Sequence, residues 1–167
     1  MQVHTSSEMN AQAFIDAGAT DVFSFGPYLV RDGELNPEVY VVSTTTNPRC
    51  AIGMVEPGHY VAMIAEGRLK DSGGISVAYL GKLMLQKGCQ VAMNLDGGQT
   101  AVMLFMGKQL NKIGIYDGKT NARPTSEVLG IGRSAQVPGN ATVVEETGDE
   151  TNTESPDPTE ADADIEE

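Results

Sequence analysis

The densest run of residues able to do chemistry is Asn94-Leu95-Asp96-Gly97-Gly98-Gln99-Thr100. A strand that delivers a carboxylate at its end, followed by two glycines, puts that charge on backbone able to approach a ligand closely or to take positive φ. The same letters also spell an Asp-Gly hairpin turn, and the pattern alone leaves both readings open. A second cluster, Ile64-Ala65-Glu66-Gly67-Arg68 with Asp71-Ser72-Gly73-Gly74 beyond it, again sets charge where a strand gives way to a glycine-rich loop. Charged strand ends are also commonly just solvated. Arg49, Arg68 and Arg123 each lie beside a turn or a proline. Guanidinium groups suit an anionic ligand such as a phosphodiester, which they grip as a bidentate fork. Surface solubility or a structural salt bridge explains scattered arginines equally well. Only His4 and His59 are available as imidazoles, and H-E-x-x-H, C-x-x-C, G-x-S-x-G and G-x-x-x-x-G-K-[ST] are all absent. What remains open is a hydrolase built on carboxylates and arginines.

The elements that must position these groups read as short strands punctuated by Gly and Pro, with two helices. Asn10 is placed to cap a short helix through Ala11, Ala13, Phe14 and Ile15, with Gly18 as its stop. Val22 to Val30 reads as a β-like run interrupted at Gly26-Pro27, Arg31-Asp32-Gly33 as a turn, and Val39 to Ser43 as extended chain. Cys50 to Val55 and Tyr60 to Ala65, separated by Glu56-Pro57-Gly58, predict a hairpin. Ser76 opens the clearest helix, running to Gln86 with a Val77, Leu80, Leu83, Met84 stripe and closing at Gly88. Strands are expected over Gln90 to Leu95, Thr100 to Met106 and Glu127 to Ile131, and Met84, Met93, Met103 and Met106 are expected to fill core. Strand pairs joined by short turns with occasional helices predict an α+β domain with a mostly antiparallel sheet.

Charge divides the chain. Of its 23 acidic residues 11 fall in 134–167, where no Lys or Arg occurs, so nearly all of the net charge of −12 sits there. That segment, poor in large apolar residues, is expected to be a disordered acidic tail behind a folded domain over 1–133. The near-neutral body offers no basic field for nucleic acid. No apolar run reaches the roughly 18 to 20 residues of a membrane span, and the start, MQVHTSSEMN, has the features of no export signal. Cys50 and Cys89 are too few for a disulfide scaffold and lack metal-site spacing; buried thiols or one bridge both fit.

The order of the pieces is more telling than any one of them. Through SFGPYLVRDGE, NPRCAIGM, HYVAMIAEGR, SGGISVAYLGKLMLQKGCQVAMNLDGGQTAVM and RPTSEVLGIG, the sequence resembles the phosphodiester glycosidase family from about Phe23 to Gly132. The resemblance implies cleavage of the C1–O bond of a sugar phosphodiester of the N-acetylglucosamine type, in exopolysaccharide or cell-envelope glycan metabolism outside the cytoplasm. Members of the family usually carry an upstream segment with an Asn-Gly-x-Phe-like motif, and on the resemblance this chain begins after it, which makes it either a fragment or a chain with an incomplete active site. Carried over by residue, the family's Pro-Arg falls on Pro48-Arg49, its Asp-Gly-Arg on Glu66-Gly67-Arg68, its loop before the helix on Gly74 and Ser76, its Asn-Leu-Asp-Gly-Gly on Asn94 to Gly98, and its late Arg on Arg123. Glu66 stands for the usual Asp, Gln99-Thr100-Ala101 for a Gly-Ser-Ser type sequence, and Cys50 for a common Thr.

On this resemblance Asp96 is the expected catalytic carboxylate and Glu66 the second. Arg49, Arg68 and Arg123 are expected on the phosphate, with Ser76, Asn94, Gly97, Gly98 and Thr100 lining the substrate. The partner is a sugar phosphodiester or polysaccharide; no organic cofactor is called for, and a divalent metal stays open. Two other readings stand beside it: a non-catalytic glycan-binding module on the same scaffold, and a metal-dependent phosphodiesterase that cuts O–P.

Overall fold

The computed structural model describes residues 1–42, 44–125 and 128–132. Met1–Val128 form one unit, built on a five-stranded sheet in the order β2-β1-β5-β3-β4, antiparallel at every pairing. Its strands are β1 (Tyr28–Arg31), β2 (Glu34–Leu35), β3 (Arg49–Glu56), β4 (His59–Ala65) and β5 (Val91–Leu95). Among the described residues three α-helices, α1 (Ala11–Asp16), α2 (Val39–Val42) and α3 (Val77–Gln86), accompany it, where the sequence pattern suggests two. A separate two-stranded ribbon pairs β6 (Leu104–Phe105) with β7 (Lys108–Gln109).

α3 forms where its signals say it should. Ser76 Oγ accepts from Tyr79 N at 3.2 Å, and the far end closes with Gly88 N donating to Leu85 O and Cys89 N to Met84 O, the paired bonds of a Schellman cap. Val77, Leu80 and Met84 on its inner face are fully buried with Leu29, Val30, Val39, Ala51, Cys89 and Ala92. α1 is capped likewise, with Asn10 Oδ1 accepting from Ala13 N at 2.9 Å. The β3–β4 hairpin holds its predicted register, with Arg49 opposite Ala65 and Cys50 opposite Ile64. Cys50 and Cys89 are free thiols.

Other expectations are corrected. The run from Val22 becomes a strand only at Tyr28, after the Gly26-Pro27 cis peptide, because proline has no N–H to give a ladder. Val39–Val42 is a helical turn, not a strand: Asn36 Oδ1 accepts from Glu38 N at 3.0 Å, and this Asn cap with Pro37 behind it outweighs the β preference of three valines and a tyrosine. Ser43 lies outside the described residues. Instead of one strand over Thr100 to Met106 there is a 3₁₀ turn at Gly98–Thr100 and then β6 alone. Asn111 takes the intervening backbone for itself, donating to Ala101 O at 2.8 Å and accepting from Met103 N at 2.7 Å. Val128–Ile131 form no strand, while Glu127 and the acidic segment 134–167 lie outside the described residues. Of the methionines expected in the core Met84 is there, but Met106 is 86% exposed on the β6–β7 turn. Among the described residues no helix is long and apolar enough to cross a membrane.

Leu80 is the central knob of α3, with no exposed surface. Leu80→Ala is expected to cost about 2–5 kcal/mol, read as a lower urea midpoint with little change in slope.

Candidate functional site

The topology brings the candidate residues together before any side chain is considered. β3 is antiparallel to both β4 and β5, so its first residue meets the last residues of its neighbours: Arg49 faces Ala65, and Cys50 faces Leu95. Pro48-Arg49, Glu66-Gly67-Arg68 and Asp96-Gly97-Gly98 therefore emerge at one end of the sheet. The bridge between Asn47 and Ile75 draws Ser76, at the start of α3, to the same end.

Two backbones touch at the centre of this cluster. Gly98 N donates to Pro48 O at 2.9 Å. A Cβ on Gly97 would lie 2.6 Å from that same carbonyl oxygen, so only glycine lets the end of β5 pass this close to β3. The Asp-Gly-Gly run is thus a close-approach element followed by a 3₁₀ turn, and not a hairpin joining two strands.

The charges are arranged around this contact. Arg68 donates through Nε and Nη2 to Asn47 Oδ1 at 3.3 and 2.9 Å, and its Nη1 lies 3.1 Å from where a Gly98 Cβ would stand. Arg49 donates from Nε to Ile75 O at 3.2 Å and from Nη2 to Thr45 O at 2.9 Å. Burial, and then the positive charge of Arg68, holds the Arg49 guanidinium below its ordinary pKa. Asp96 is ion-paired to Arg123 through Oδ2 and Nη2. It follows Leu95, the ladder partner of Cys50, and the Cys50 thiol is pushed up first by burial and then by the carboxylate's charge.

The remaining sequence candidates are engaged with the protein itself. Glu66 Oε1 accepts from Lys112 N. Thr100 Oγ1 donates to Gly97 O at 2.8 Å, and Ser76 Oγ serves as the α3 cap. Asn94 is 2% exposed; its Nδ2 donates to Gly26 O at 2.8 Å, while its Oδ1 has no hydrogen-bond partner. Sequence reasoning missed Asn47, a neutral residue whose role appears only when its carboxamide is seen gripping Arg68. It also missed the segment from Lys112 to Tyr116, which no residue pattern separates from an ordinary loop. Among the described residues no three His, Cys, Asp or Glu side chains converge as a metal-holding group.

Residues 2–132 match the family described as phosphodiester glycosidase. The chain belongs to this family. A prophage-derived uncharacterized protein of Bacillus subtilis, YomE, is 34% identical over 118 residues, which cover 68% of this chain and 18% of YomE. A hypothetical protein from Synechocystis is 23% identical with a TM-score of 0.44, over 52% of this chain and 17% of that one. The zebrafish N-acetylglucosamine-1-phosphodiester α-N-acetylglucosaminidase catalytic domain, auto-inhibited by its pro-peptide, is 20% identical with a TM-score of 0.38, over 52% of this chain and 33% of that one. The chain thus spans less than a fifth of the length of its Bacillus relative.

The effect of the Asp96 charge on Cys50 is measurable without substrate. Removing the carboxylate as Asp96→Asn lowers the Cys50 thiol pKa and enlarges its thiolate fraction at a given pH. Iodoacetamide alkylation of Cys50 between about pH 8 and 9 is therefore expected to be faster in Asp96→Asn than in the parent, as followed by mass spectrometry.

Proposed function

We propose that this chain carries the reacting centre of a phosphodiester glycosidase that hydrolyses a sugar 1-phosphodiester, of the N-acetylglucosamine type, at the C1–O bond. The observation that carries this reading is the meeting of Arg49 and Arg68 with the Asp96–Arg123 pair across the Gly97-Gly98 contact. A diester needs both halves: cations for the phosphoryl oxygens, and a carboxylate for the carbon that becomes cationic.

In the proposed reaction Arg49 and Arg68 take the non-bridging oxygens of the phosphodiester. Heterolysis of the C1–O bond sends its electron pair to the phosphate oxygen, giving a phosphomonoester. Phosphate is a good leaving group, so the demand for a strong general acid is small. Positive charge at C1 and the ring oxygen is stabilised by the Asp96 carboxylate. Water then forms the new C1–O bond, and its proton passes to the carboxylate and on to solvent, releasing a reducing sugar. Arg123, ion-paired to Asp96, keeps the carboxylate oriented until the substrate's own charges arrive. Glu66, through its bond to Lys112 N, fixes the loop around Arg68, and its second oxygen is left to serve as the second carboxylate. Thr100, Ser76 and Asn94 are assigned to the sugar side of the site. The setting proposed is exopolysaccharide or cell-envelope glycan turnover, outside the cytoplasm.

Incubation of the protein with a GlcNAc phosphodiester is expected to release free reducing GlcNAc, with Asp96→Asn slower by about 10²–10⁴-fold. Sugar 1-phosphate as the product would replace the glycosidase by a phosphodiesterase. Tight binding with no product would make the domain a glycan-binding module.

A further inference from the structure

One short run of chain, 112–123, touches almost every charged group of the site. Lys112 N donates to the Glu66 carboxylate. Gly114 lies so close to the 67–68 backbone that a Cβ on it would stand 2.1 Å from Gly67 O, and Ile115 N donates to Arg68 O at 3.1 Å. The Tyr116 ring then covers the Arg68 guanidinium, 4.4 Å from Cζ to the ring centroid. Further on, Lys119 O accepts from Gln99 Nε2 at 2.8 Å and Arg123 N donates to Gln99 O at 3.2 Å, which sets Arg123 beside Asp96.

The pattern of contacts on Arg68 is selective. Asn47 grips one edge of the guanidinium in its plane, and Tyr116 closes one of its faces. Both partners are neutral. Among the described residues the ion pairs are Arg31–Glu8 and Arg123–Asp96, and neither includes Arg68. Arg68 also holds the left-handed backbone region, with φ 57°, which side-chain-bearing residues keep only when their surroundings enforce it. A cation that the fold merely had to satisfy would be given a carboxylate. A cation that must stay rigid while keeping its full charge for an anion requires neutral clamps.

We infer that Tyr116 is a positioning residue: its ring holds the Arg68 guanidinium in place without neutralising it, so that Arg68 meets the phosphoryl oxygens of the substrate pre-oriented. The inference deepens the proposed function and rests on it for the identity of the anion, but the restraint on Arg68 is measurable by itself. Tyr116 is 58% exposed, so its truncation leaves the core untouched.

The test compares the parent, Tyr116→Ala and Tyr116→Phe by two readouts. The first is the ¹H–¹⁵N signal of the Arg68 Nε–H, assigned with Arg68→Lys. In the parent it is expected to stand apart from the exposed arginines, to fall among them in Tyr116→Ala and to return in Tyr116→Phe, since phenylalanine keeps the ring. The second is steady-state hydrolysis of a GlcNAc phosphodiester: KM is expected to rise about two- to fivefold in Tyr116→Ala, the factor that an exposed cation–π contact supplies, with kcat nearly constant and KM restored by Phe. An unmoved Arg68 signal in Tyr116→Ala, an unchanged KM, or a loss confined to kcat would each overturn the positioning role. If the parent leaves the diester untouched while the signal behaves as expected, the proposed substrate fails and the restraint on Arg68 stands.

Discussion

The contact between the Pro48 carbonyl and the Gly97-Gly98 backbone is the constraint on which the site depends. It is where β3 begins and β5 ends, and it closes to one N–H···O bond of 2.9 Å with no space for a side chain at Gly97. Two of the site's charges hang from the two chains that meet there, and a third comes to it from the end of β4. Arg49 follows the carbonyl, Asp96 precedes the glycines, and Arg68 packs against the second of them. A wider separation would move the Asp96 carboxylate away from Arg49 and Arg68, which the proposed function needs on one substrate.

Around this contact the protein treats its charges unequally. Asp96 is given a full counter-charge in Arg123, while Arg68 is held by a carboxamide and an aromatic ring. Arg49 is held in part by backbone carbonyls. On the proposed function, this inequality leaves Arg68 to the phosphoryl oxygens of the diester and keeps Asp96 oriented by Arg123 until the substrate arrives. Cys50 is a poor thiolate for a related reason: burial raises its pKa first, and the negative charge of Asp96 adds to it.

Much of this was legible in the sequence, and for identifiable reasons. The caps on α3 and α1, the Glu56-Pro57-Gly58 hairpin and the strand before Asn94 are local signals, each satisfied within a few residues of itself. Misreadings arose where a single side chain overrode local preference: Asn36 turned a valine-rich stretch into a helix, and Asn111 broke one expected strand into a turn and a short ribbon. In the site, the residues with formal charge were found, because charge is visible in one letter. Asn47 and Tyr116 were not, because a neutral clamp is defined only by what it touches some 21 or 48 positions away. Ser76, Thr100 and Asn94 carry hydrogen bonds to the backbone in addition to any role on the sugar, a double use that spacing does not reveal.

The central claim is that the bond broken lies between C1 and oxygen, with the phosphorus untouched. Hydrolysis of a GlcNAc phosphodiester in ¹⁸O-enriched water, with mass analysis of the phosphomonoester product, tests it most directly. The account predicts a phosphomonoester free of solvent oxygen, because water attacks carbon. A phosphomonoester carrying one ¹⁸O would mean attack at phosphorus and would contradict the account.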